Sequence, residues 1–144
     1  MPNLQEGRSI LRVRPRIENT LEWLDVIEFT IFVDTLPPTV ISPQIVVNYV
    51  DDEVTVSASS ISDDISLTTD VSGLDYVRFR ANVDGGLFSE EEYTLSGEIS
   101  SPTLSHTFSF SDLHQNDLFG WEVSAADLSG NVIISSGTSL SSLI

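Results

Sequence analysis

Polar and apolar residues alternate along most of this chain, and no useful length of it repeats its apolar residues at helical spacing. The clearest alternation sets Trp121, Val123 and Ala125 on one face against Glu122 and Ser124 on the other. Asp127-Leu128-Ser129-Gly130-Asn131 comes next as a tight turn. Gly130 tolerates positive φ there, and Asp127 and Asn131 can bond back to the turn backbone. A further strand is expected over residues 132–136.

The same pattern recurs upstream. Residues 44–49 read as a strand. Val54, Val56 and Ala58 oppose Thr55, Ser57 and Ser59; Val77, Phe79, Ala81 and Val83 oppose Arg78, Arg80 and Asn82; His106, Phe108 and Phe110 oppose Thr107, Ser109 and Ser111. Asp84-Gly85-Gly86 is a hairpin turn. Residues 88–95, carrying Glu90-Glu91-Glu92, read as an edge strand whose charges discourage sheet-to-sheet association. Residues 61–73, 96–103 and 112–117 read as connections. From residue 39 on this makes about seven strands, the count expected of a two-sheet antiparallel β-sandwich.

The first 35 residues form a separate unit. Leu11, Val13 and Ile17 oppose Arg12, Arg14 and Arg16, with Pro15 on the apolar side, so this strand should be an edge or contain a break. Ile27, Phe29, Ile31 and Val33 oppose Glu28 and Thr30, with a connection containing Trp23 between the two runs. Two strands alone are marginal in water and call for a partner. Pro37-Pro38 then stiffens the link to the main run of strands. Charge marks the same boundary: residues 1–35 carry a net −2 and residues 36–144 a net −14.

The net charge of −16 repels phosphate backbones and argues against nucleic-acid binding. The absence of cysteine removes disulfides, thiolate zinc sites and thiol nucleophiles together. No run reaches the ~20 apolar residues of a spanning helix, so membrane insertion is not expected. The opening residues lack a signal-peptide pattern, which leaves a cytosolic chain or a piece of a longer exported one.

Several stretches together carry a resemblance. These are Val33-Asp34-Thr35-Leu36-Pro37-Pro38-Thr39-Val40, Asp70-Val71-Ser72-Gly73-Leu74-Asp75-Tyr76-Val77-Arg78-Phe79, and the run from Trp121 through Asp127 to Asn131. In this order they resemble the bacterial immunoglobulin-like (fibronectin III-like) repeats that occur in tandem in adhesins, surface-layer proteins and secreted multidomain enzymes. The resemblance covers roughly residues 36–138. It implies an all-β immunoglobulin-like antiparallel sandwich over residues 36–144. Residues 1–35 would then be the last two strands of a preceding repeat, or a hairpin exchanged between copies. It also implies an extracellular or cell-surface location, and neighbouring immunoglobulin-like domains, copies of itself, a surface protein or a glycan as partners.

That topology brings the linker, the loop before the third strand and the last hairpin turn to one end. There Asp34, Asp63, Asp64, Asp70, Asp127 and Asn131 form a candidate Ca2+ site, since calcium takes several oxygen ligands from flexible loops. The competing reading is that they are turn-formers and solvated acids, as no EF-hand spacing is present. Asp51-Asp52-Glu53 would face Asp112 and Asp117 at the other end.

Catalysis is not expected. His106 shares parity with Phe108 and Phe110 and belongs at the rim of the core, while His114 lies in a polar loop without a nucleophile arranged beside it. Neighbouring glutamates on one strand alternate faces and cannot flank a glycosidic bond. The expected role is a structural or adhesive module. A self-assembling fibre or surface-layer subunit is the first alternative, in which the arginine row docks residues 1–35 on another copy. A carbohydrate-binding accessory module is the second, with Trp23, Tyr49, Tyr76 and Tyr93 as its scattered aromatic candidates.

Overall fold

Side chains that alternate between apolar and polar satisfy one buried and one wetted sheet face at once, and the alternating runs all become strands. The structure is a computed structural model that describes residues 7–63 and 71–140. Its strands are β1 (Gly7–Val13), β2 (Ile27–Val33), β3 (Thr39–Asn48), β4 (Glu53–Ser62), β5 (Leu74–Val83), β6 (Ser89–Thr94), β7 (Ser100–Ser101), β8 (Leu104–Ser109), β9 (Leu118–Asp127) and β10 (Val132–Leu140). All pairings are antiparallel, and the described residues contain no helix.

One sheet runs β10-β9-β5-β6; the other runs β3-β4, with β7 and β8 both paired to β4. Their facing sides make one core. Val54, Val56 and Ile61 of β4 meet Val77 and Phe79 of β5 and Phe119, Val123 and Ala125 of β9, every one of them fully buried. This is a β-sandwich, and burial of this apolar surface, at about 25 cal/mol per Å², is its main source of stability.

The pattern misplaces some boundaries. β3 starts at Thr39, ahead of the expected residue 44, and its register slips twice before Gln44. Pro43 has no N–H to donate, and an irregular edge strand is where a sheet tolerates it. A two-residue strand, Ser100–Ser101, forms inside an expected loop by pairing with Ile61 and Ser62. β10 continues past residue 136 to Leu140, because β9 offers partners along its whole length.

Trp121 is also less central than its pattern suggests. The largest fully buried side chains are Phe79 and Phe119, whereas Trp121 is half-buried at the margin of the core. Its indole lies over Gly137, its cross-strand partner, where a Cβ would stand 2.7 Å from the ring. A bulky residue opposite Trp121 would evict it, so the pair is specified by glycine.

Among the described residues β1 and β2 pair only with each other, in register from Gly7↔Val33 to Val13↔Ile27. Leu11, Val13, Ile27 and Phe29 share one face of this hairpin, and each is exposed. The arginines are held within the hairpin. Arg12 bonds Glu28 across the strands at 2.7 Å, Arg14 donates to the Leu24 carbonyl, and Arg16 donates to the Thr20 carbonyl and lies over Trp23.

Candidate metal centre

The chain leaves β2 through Asp34 and enters the sandwich along Pro37-Pro38, with Pro38 fully buried. Asp34 accepts the Leu36 N–H on Oδ1 at 3.3 Å, an Asx-type turn that aims the linker, and the Ser72 N–H on Oδ2 at 2.8 Å. Its carbonyl accepts from Asn131 Nδ2 at 2.9 Å. One residue of the linker thus touches both the approach to β5 and the β9–β10 turn.

Asp63 comes directly after β4. Its N–H donates to the Ile99 carbonyl, and its Oδ2 accepts the Gly73 N–H at 2.6 Å. Gly73 has φ +89, and a Cβ there would stand 2.2 Å from the Gly97 carbonyl oxygen, so only glycine fits. The Gly73 carbonyl in turn accepts from Leu128 N. The Ser-Gly doublet before β5 therefore builds the site as much as the acids do. Alternation and charge do not reveal this role; the one local sign of it is a glycine just before a strand, which marks close backbone approach.

Asp127 ends β9. Its Oδ1 accepts the Asn131 N–H at 2.9 Å and its Oδ2 the Asn131 amide at 2.8 Å, while its carbonyl accepts from Gly130 N. The turn-forming reading of Asp127 and Asn131 is therefore realised in the geometry, and Asp127 faces the other acids as well.

One carboxylate oxygen from each of Asp34, Asp63 and Asp127 lies within 4.8 Å of the other two. The three residues are 8%, 1% and 1% exposed, so three negative charges converge out of water's reach. N–H donors reach every one of their carboxylate oxygens except Asp63 Oδ1, which is buried with no hydrogen-bond partner. Burial pushes the Asp63 carboxyl from its ordinary 3.8 up to about 6; the Gly73 N–H opposes this, the charges of Asp34 and Asp127 add to it, and the Ser72 side chain opposes it weakly.

Three converging carboxylates with one buried oxygen unpartnered could hold a hard cation, and calcium, which takes six to eight oxygen ligands, would need further oxygens besides these. Asp34, Asp63 and Asp127 would hold it. Asn131 turns its NH2 group toward Asp127 and the Asp34 carbonyl and so orients both. Asp64 and Asp70 lie outside the described residues.

The other candidates serve the fold. Asp52 Oδ1 accepts the Leu113 N–H and its carbonyl the Phe110 N–H, while Asp117 accepts from His114 N; these acids close loops. His106 Nδ1 lies 2.8 Å from the Tyr93 hydroxyl and its ring packs on Phe108, while His114 is exposed. Glu90 and Glu92 pair with Arg78 and Arg80 on exposed edge strand β6. The aromatic candidates do not share a platform: Tyr49 packs edge-on against Phe119, Tyr93 against Phe79, Tyr76 lies under Arg78, and Trp23 is on the hairpin.

No protein-family model, curated protein or solved structure matches this chain.

Proposed function

We propose that the chain is a non-catalytic structural module of an extracellular or cell-surface protein, an immunoglobulin-like spacer whose joint to the preceding hairpin is clamped by calcium. The carrying observation is the convergence of Asp34, Asp63 and Asp127 with one buried oxygen left unpartnered. These residues come from the linker, the end of β4 and the end of β9, so an ion shared among them ties all three together. The strand order β10-β9-β5-β6 against β3-β4-β8 supports the immunoglobulin-like reading, because it matches the G-F-C-C′ and A-B-E sheets of that fold. Residues 1–35 are then the end of a preceding module.

Thermal melting during a calcium titration tests this. At calcium about a hundredfold above Kd the stabilisation is about 2.7 kcal/mol, which moves Tm by several degrees. Asp63→Asn keeps an acceptor for Gly73 but removes the charge, and should abolish the shift while leaving the protein folded. A wild-type Tm that ignores millimolar-range calcium sinks the clamp.

A second reading comes from the uncovered hairpin face. A second copy of the chain covers Leu11, Val13, Ile27 and Phe29, making the protein a self-assembling subunit. Light scattering separates the two, since the spacer remains monomeric at concentrations where a subunit assembles.

A further inference from the structure

At the opposite end of β9 from the acidic cluster, the outer face of the four-stranded sheet carries a groove of about 380 Å³, within the usual size of small-ligand sites. Its floor is laid out by register. Asn82 pairs with Gly120, Gly120 with Thr138, and Glu122 with Ser136, so these residues alternate with the core-facing Ala81 and Phe119 and share the outer face. Asn82 folds over Gly120, where a Cβ would stand 2.1 Å from its Oδ1. Phe88 and Leu118 stand at the groove, 39% and 40% exposed. The mouth is tied by hydrogen bonds: Asp84 and Gly85 form a tight turn at positive φ, and Asp84 is bonded twice to Leu118.

The chemistry of this lining selects a ligand. Phe88 offers an apolar ring, with the Arg80 guanidinium stacked on it at 4.4 Å from its centroid. Around it stand a carboxylate, two hydroxyls and the largely buried carboxamide of Asn82, whose Nδ2 already donates to the Gly86 carbonyl. Arg80 is itself taken up by Glu90 and Glu122, each at 3.3 Å. Anionic ligands are disfavoured by those acids and by the net charge of −16. A group with one apolar face and a belt of neutral hydroxyls matches. We propose that this groove binds a neutral pyranose residue of a glycan, its C–H face on Phe88 and its hydroxyls on Glu122, Asn82, Ser136 and Thr138. The open shape suits one residue of a longer chain. The site is independent of the calcium clamp and uses none of Trp23, Tyr49, Tyr76 and Tyr93, although Trp121 also lines it.

The test is titration of the isotope-labelled protein with the methyl pyranosides of glucose, galactose, mannose and N-acetylglucosamine, monitored by amide NMR shifts. At least one of them should bind with a Kd on the order of millimolar, as expected of a small ligand on an open site. The amides of Gly85, Gly120 and Thr138 should move, and those of the acidic cluster should stay still. Phe88→Ala should weaken binding by about three- to tenfold through loss of the ring contact. Thr138→Leu, an exposed position that tolerates substitution, should block the groove without lowering Tm. Glucuronate should bind more weakly than glucose. The proposal is overturned if none of these sugars moves the groove amides, if binding survives Thr138→Leu, or if the acidic sugar binds best.

Discussion

The molecule contains the same device twice with opposite outcomes. β1–β2 and β9–β10 are both antiparallel hairpins with an apolar face, and each contributes a phenylalanine to that face. Phe119 in β9 is fully buried; Phe29 in β2 is 51% exposed. The difference lies in the neighbours. β9 is paired on its far side with β5 and faced by β4, whereas β1 and β2, among the described residues, have each other alone. Amphipathic alternation makes a strand in either place, but stability comes only where a second layer excludes water from the apolar face.

This contrast can be broken or sharpened by experiment. Phe119→Ala should destabilise the sandwich by about 3–5 kcal/mol, read as a denaturation midpoint, because it leaves a cavity in a closed core. Phe29→Ala should change the same midpoint by no more than about 0.5 kcal/mol in the monomer. If Phe29→Ala instead lowers Tm in a concentration-dependent way, the hairpin face is covered by a second copy, and the contrast belongs only to the monomer.

Gly137→Ala comes next in size. Its Cβ would meet the Trp121 indole at 2.7 Å, and overpacking of this kind costs about 1–3 kcal/mol. Trp121 emission should redden as the ring is displaced. The exposed Trp23 of the other hairpin should keep its emission in the same variant.

The pH dependence of the joint is smaller. Asp63 holds its proton to about 6 in the folded chain and to about 3.8 when unfolded. Between those values only the folded state is protonated, so the group's contribution to stability is largest at low pH and falls as pH rises through the window. Tm in chelator should therefore be higher near about pH 5 than near about pH 7. Asp63→Asn should flatten that difference, and calcium should bind less tightly at the lower pH because it competes with the proton. A Tm that rises with pH in chelator would contradict the assigned burial of Asp63.

The smallest effect compares two ion pairs. Arg12–Glu28 on the hairpin is 65% and 54% exposed at its side chains, and Arg80–Glu122 on the sandwich 32% and 22%. Double-mutant cycles should give a coupling within about 0.5 kcal/mol for the first and up to about 1 kcal/mol for the second. Equal couplings would mean that the sheet does not shield the inner pair.

Much of the fold was legible in the chain itself. Val54-Thr55-Val56 and Val77-Arg78-Phe79 announce strands and their faces, because side chains on a strand alternate whatever lies opposite. The acids at 34, 63 and 127 were also legible as one candidate group once a strand order was assumed. What alternation could not supply was partnership. Ser100–Ser101 become a strand because β4 extends past β8, and Phe119, not Trp121, fills the centre of the core because Gly137 leaves the indole a place at the margin.

The sequence by itself determined that the chain is all-β, where nearly every strand lies and which side of each is apolar, since these arise from the local period of the backbone. Tertiary structure alone decided which apolar faces are covered. It left Asp63 Oδ1 without a donor and opened a groove around Gly120. These outcomes depend on distances between residues far apart in the chain, and no local pattern encodes them.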